Sequence, residues 1–160
     1  MSGSSTPIDS IDARILGALN DEPRATVMAL AERTGLSRNT VHARLARMEE
    51  RKVVRAFERR IDPRALGYPL TAFLLTSVKQ QKLAHIAYSL SGIPEVVEVH
   101  GLTGAVDLLI HVVGRDAEDL YRIAGRILDI DGVEQTTTAL VTRKLIDFRL
   151  TSLVRQIETE

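Results

Sequence analysis

The stretch Leu36-Ser37-Arg38-Asn39-Thr40-Val41-His42-Ala43-Arg44-Leu45-Ala46-Arg47-Met48 separates into two faces when wound as a helix. Val41, Leu45 and Met48 recur at i, i+4 and i+7 and form an apolar stripe that must pack inward. Arg38, Asn39 and His42 project from the other side of the N-terminal half. Ser37 stands where an N-cap is required, and Gly35, two residues earlier, is suited to ending a preceding helix.

Working outward from this segment, Thr26 caps a short helix whose inward residues are Val27, Leu30 and Ala31. Before it, Asp9 or Ser10 caps a first helix with the stripe Ile11, Ile15, Leu16 and Leu19, broken by Asn20 to Pro23. Three short helices, the last two joined by a tight glycine-containing turn, predict a helix-turn-helix. The third helix is then the one that enters a DNA groove. Arg38 can bond bidentately to guanine and Asn39 to adenine, with His42 beside them. Ser37 and Thr40 offer hydroxyls and amides to phosphate at the positive end of the helix dipole. Arg44 and Arg47, with Arg55 beyond them, suit the phosphate backbone, which sets position without reading sequence.

Charge supports this reading. The net charge is zero, yet residues 1–64 hold 12 Lys/Arg against 9 Asp/Glu, and residues 65–160 hold 9 against 12. Within Leu36 to Arg60 the count is 8 basic to 3 acidic. A local excess of this kind favours a polyanion, because each neutralised phosphate releases counterions.

The third helix is followed by loose alternation from Val53 to Ile61, read as an exposed wing strand containing Arg55, Arg59 and Arg60. Pro63, Gly67 and Pro69 then punctuate the chain. The expected organisation is a DNA-binding domain over 1–61, a hinge over 62–69 and a second domain over 70–160.

In the second domain, strands are expected at Leu70 to Lys79, Val96 to Gly101, Val106 to Val113 and Val133 to Val141. Helices carry the stripes Leu83, Ile86, Ala87, Leu90 and Leu120, Ile123, Ala124, Ile127, Leu128. Arg143 to Phe148 reads as an extra strand. The order βαββαβ is that of a ferredoxin-like α+β sandwich. Gly92-Ile93 with Glu95-Val96 echoes Gly132-Val133-Glu134, each opening a strand after a helix. Two helices cover only one face of such a sheet, so the apolar opposite face is expected to pack against a second copy.

Other classes are disfavoured. The chain has no cysteine, no glycine-rich phosphate loop and no serine with a partnered histidine, and its four histidines are scattered. No catalytic residues, cofactor or metal are therefore expected. RNA-recognition sheets stack bases on aromatics, but aromatics are 4% of the chain and absent from the two strands spanning 96–113. Hydrophobic content of 44% excludes wholesale disorder. The polar N-terminus and the lack of an apolar run of about 20 residues argue for a soluble cytoplasmic protein without membrane contact.

Taken together, these motifs resemble the Lrp/AsnC (feast/famine) family of bacterial and archaeal regulators. The similarity runs from about Ile8 to Ser152. It is carried by Ile11-Asp12-x-x-Ile15-Leu16, Leu30-Ala31-x-x-x-Gly35-Leu36-Ser37, Val41-x-x-Arg44-Leu45-x-x-Met48-Glu49, Gly104-x-x-Asp107 and Gly132-Val133-x-x-Thr136-x-Thr138. The resemblance implies a second domain that dimerises through its sheet, assembles dimers into octamers and binds an amino acid or related metabolite between them. Two departures stand out. Lys52 occupies a position where the family usually has Gly, in a left-handed turn that costs a non-glycine residue about 1 kcal/mol. The loop Gly104-Ala105-Val106-Asp107 lacks the family's usual acidic and aromatic residues.

That loop is the expected effector site. Gly104 can adopt positive φ and present amides to a carboxylate, among Leu102, Thr103, Ala105 and Val106. Asp107 suits an ammonium group, with Thr136 and Thr138 supplying hydroxyls. The competing readings are that Asp107 braces the hairpin and that the threonines are ordinary strand formers. The chain is thus expected to be a DNA-binding transcriptional regulator responsive to an amino acid, with a ligand-independent architectural DNA-binding protein as the alternative.

Overall fold

A computed structural model describes residues 7–55 and 61–159, in two compact units. One comprises the N-terminal residues to 59 together with 146–160; the other spans 60–145.

The first unit holds α1 (Ser10–Asp21), α2 (Val27–Thr34), α3 (Arg38–Glu50) and α6 (Thr151–Glu158). Asp9, Thr26 and Ser37 each cap a helix by accepting the amide three residues on, Asp12, Ala29 and Thr40 respectively. Ile15, Leu30, Val41 and Met48 form the centre of the core, with Leu45 packed against them. Each such fully buried side chain contributes about 1.5–3 kcal/mol.

Both α2 and α3 end in the same motif. Gly35 lies at φ 65°, and Leu36 N–H returns to the Ala31 carbonyl at 3.1 Å. Lys52 lies at φ 55°, and Val53 N–H returns to the Met48 carbonyl at 2.9 Å. These are Schellman closures, each fastened by an apolar residue after the turn. The left-handed turn expected at Lys52 is present, on a side chain with a Cβ.

α6 packs along α1, and Glu158 Oε1 comes within 2.7 Å of where a Cβ on Gly17 would sit. Residues 146–160, assigned by sequence to the second domain, fall in the same compact unit as the helix-turn-helix. The expected extra strand at Arg143 to Phe148 does not form either. The expected wing strand at Val53 to Ile61 falls largely on 56–60, outside the described residues; positions 53–55 and 61 are not in a strand.

The second unit runs β1 (Leu70–Val78), α4 (Leu83–Ser91), β2 (Val96–Gly101), β3 (Leu108–Gly114), α5 (Ala117–Leu128) and β4 (Val133–Leu140). The sheet order is β2-β3-β1-β4, and every pairing is antiparallel, as a ferredoxin-like sandwich requires. The helices bury Leu74, Ile86, Leu90, Ile110, Ile123 and Ile127 against one face. The internal echo is offset in space: Val96 N–H closes onto Ile93 as Val133 N–H closes onto Ile130, so Gly132 answers Glu95 and not Gly92. At Gly132, φ is 101° and a Cβ would meet Lys82 Cβ at 2.8 Å, which leaves room only for glycine.

The opposite face carries Phe73, Leu75, Leu109 and His111 from the two central strands, half-buried in the single chain. Phe73 and His111 are directly paired, with ring centroids 4.8 Å apart.

Candidate nucleic-acid interface and ligand loop

The capped N-terminus of α3 presents Arg38, Asn39 and His42 to solvent, as the two-faced helix predicts. Val41 and Met48 on the other side are fully buried, which fixes the helix's rotation. Ser37 and Thr40 spend part of their hydrogen-bonding capacity locally: their hydroxyls lie 2.9 Å apart, and the Ser37 hydroxyl accepts the Thr40 amide at 3.1 Å.

Arg44 and Arg47 occupy a different environment from that face. Arg44 Nη1 donates to Asp12 Oδ1 at 3.1 Å and also bonds Asp9. Arg47 Nη2 donates to Asp12 Oδ2 at 3.0 Å. The Asp12 side chain has no solvent exposure, so its charge depends on these two guanidiniums. The Arg44 hydrogen bond holds the Asp9 carboxyl below its usual range, helped by the Asp12 amide. Reciprocally, Asp9 raises Arg44 above the ordinary guanidinium value. Both arginines therefore tie α3 to α1. The signal for this lay in the sequence: Asp12 falls one turn before Ile15 on the inward stripe, where a carboxylate demands a cation.

The expected effector loop lies in the second unit, between β2 and β3. Gly104 adopts φ 126°, and a Cβ there would meet nothing within 4 Å. Leu102 to Ala105 are exposed, and Val106 and Asp107 are half-buried. Asp107 is bonded through every polar group. Its amide donates to the Thr76 carbonyl at 3.0 Å, and its own carbonyl accepts Leu102 N–H at 2.7 Å. Its carboxylate accepts Val78 N–H at 2.8 Å and Gln80 Nε2 at 2.7 Å. These bonds fall where the β1–β4 register shifts, between Ser77 and Val78, so the carboxylate satisfies an amide at an irregularity in the ladder.

Thr136 and Thr138 share one side of β4, as their spacing dictates. That side is the helix-covered one, since they lie opposite Thr76 and Leu74, both fully buried. The Thr136 hydroxyl lies 3.0 Å from that of Thr76. Thr138 is exposed.

Sequence reading did not single out Glu95. Its carboxylate is nearly buried, accepts from Arg122 at 2.8 Å and lies 3.6 Å from Arg126. Arg122 holds the Glu95 carboxyl below its usual range despite burial. The pair pins the start of β2 to α5, a structural role. Among the described residues no helix is long and apolar enough to cross a membrane, and no group of three or more His, Asp or Glu is placed to hold a metal.

Residues 8–49 match the AsnC-type helix-turn-helix domain, and residues 71–151 match the Lrp/AsnC ligand binding domain. The chain is 36% identical over 137 residues to the HTH-type transcriptional regulator FL11 of Pyrococcus horikoshii, covering 86% of this chain and 91% of that one. Its fold superposes on E. coli AsnC with a TM-score of 0.81 and 26% identity, covering 91% of this chain and 99% of the other. A transcriptional regulator of Neisseria meningitidis, crystallised as a complex with L-Met, gives a TM-score of 0.79 and 25% identity, covering 92% and 99%. FL11 and the Neisseria protein are both transcriptional regulators. With both halves matched in order, the chain belongs to the Lrp/AsnC family of transcriptional regulators.

Proposed function

We propose that this regulator reads duplex DNA through Arg38, Asn39 and His42 and answers to an amino acid bound at the Leu102–Asp107 loop. The observation that carries the DNA reading is the division of labour along α3. Its N-terminal face is exposed and polar, while Arg44 and Arg47 are bonded to Asp12. Base contact belongs to the first group. Arg44 and Arg47 act mainly as struts, and Arg47, with its side chain 45% exposed, retains donors for a phosphate.

For the effector, the free carboxylate meets the amides around Gly104, and Asp107 shapes the loop beneath. Each Asp107 oxygen accepts one internal bond, which leaves a second lone-pair direction on each for an ammonium group. The apolar Ala105 and Val106 favour an apolar or aromatic side chain. The L-Met complex of the Neisseria relative supports an amino acid as the ligand class. Two copies pair through the face bearing Phe73, Leu75, Leu109 and His111, with assembly of dimers into octamers as the further step. The commitment of both Asp107 oxygens within the chain favours a second reading, a ligand-independent architectural protein.

A thermal-shift screen with the twenty amino acids separates the two. A true effector at 100 times its Kd stabilises the protein by about 2.7 kcal/mol; no shift with any of them supports the architectural reading.

A further inference from the structure

On the DNA reading proposed above, base recognition depends on where the Arg38 guanidinium points. Arg33, Arg44 and Arg47 in the same unit each rest on a carboxylate, at 3.2, 3.1 and 3.0 Å. Arg38 does not. Its Nη2 donates to Met28 Sδ at 3.3 Å, and this is its single hydrogen-bonding contact among the described residues. Met28 is the second residue of α2, 50% exposed and outside the buried core of the unit. It contributes little to the interior, yet it touches the one side chain on α3 best suited to guanine.

The chemistry of that contact matters. A carboxylate at position 28 would neutralise Arg38 and compete with DNA for its donors. A thioether is a weak acceptor and a polarisable surface. It can occupy one N–H and restrict the rotamers of a long side chain while leaving the positive charge and the remaining donors available. An arginine restrained beforehand gives up less freedom on binding.

We infer that Met28 is a positioning residue for base recognition, holding the Arg38 guanidinium in the pose from which it reads one base pair. The inference rests on the proposed role of Arg38, and the test separates the two. Operators are selected from a random duplex pool with the full-length protein, and affinities are then measured on every single-base variant for wild type, Arg38→Ala, Met28→Ala and Met28→Leu. Arg38→Ala identifies the base pair it reads. Met28→Ala is expected to reduce discrimination at that same base pair by about 3- to 10-fold, a part of what a bidentate contact supplies, with an unchanged thermal midpoint. Met28→Leu, which restores the bulk without the sulfur acceptor, recovers discrimination only in part.

Full discrimination in Met28→Ala alongside a selective loss in Arg38→Ala overturns the inference and leaves the DNA reading standing. So does a loss spread evenly over all positions. If Arg38→Ala loses discrimination at no particular base pair, the underlying reading falls instead.

Discussion

Arg44 of the recognition helix donates to Asp12 of the first helix, across 32 residues of sequence, at 3.1 Å. Because Asp12 is wholly buried, this bond and its companion from Arg47 set the angle at which α3 is presented. Replacing Asp12 with Ala should cost about 2–3 kcal/mol, below the ~3–5 of a fully buried pair because Arg47 can turn to water. Urea denaturation with an unchanged m-value is the check. A loss under about 0.5 kcal/mol would mean the strut carries little.

Lys52 stands in its turn where Gly35 stands in the preceding one, at nearly the same φ. Lys52→Gly should therefore stabilise the protein by up to about 0.5 kcal/mol, relief of the left-handed penalty less the entropy of an added glycine. Gly35→Ala should destabilise by about 1 kcal/mol. Thermal midpoints moving in opposite directions are the expected result.

Burial lowers the pKa of His111 from 6.5, against an opposing pull from Glu98 and with His100 and Lys144 reinforcing the shift. The folded state therefore prefers the neutral ring. Its contribution is complete above the unfolded value and is lost as pH falls from about 6.5 through the lower folded value. His111→Phe, stacked on Phe73, should remove that limb of the stability profile between pH 8 and 5. A profile unchanged in the variant would assign the dependence elsewhere.

Pairing through the open sheet face predicts that Leu75→Asp yields a monomer at micromolar concentration by light scattering while the sandwich stays folded. A wild-type oligomer in that variant would place the interface on another surface.

Asp107→Ala leaves Val78 N–H without its acceptor and frees Gln80. The expected result is loss of the amino-acid response with the apo protein's DNA affinity nearly intact. An unchanged concentration dependence in the variant would make Asp107 a brace alone.

Much of this was legible from local pattern. Caps at Asp9, Thr26 and Ser37, the buried stripe of α3 and the strand order all follow from residues close in sequence. The pairing of Arg44 and Arg47 with Asp12 was legible only in part: a carboxylate on the inward stripe demands a cation, but periodicity does not say which helix supplies it. The expected strand at Arg143 to Phe148 failed for a geometric reason. Leu140 already pairs with Ala72, and Val141 N–H bonds Thr71, so β1, which begins at Leu70, runs out of partners. Alternation along the tail describes its side chains and not an available neighbour. Asp107 was legible as important, but its hydrogen bonds to Val78 and Gln80 depended on a register shift that sequence does not reveal.

On the proposed reading, the N-terminal face of α3 reads bases while the arginines behind it hold the helix. Footprinting and affinity measurement on operators mutated one base pair at a time test it directly, using Arg38→Ala and Asn39→Ala against Arg47→Ala. Each of the first two should lose about 1–3 kcal/mol at its own base pair. Arg47→Ala should weaken all sequences alike. Unaltered sequence preference in both the Arg38 and Asn39 variants would contradict the account.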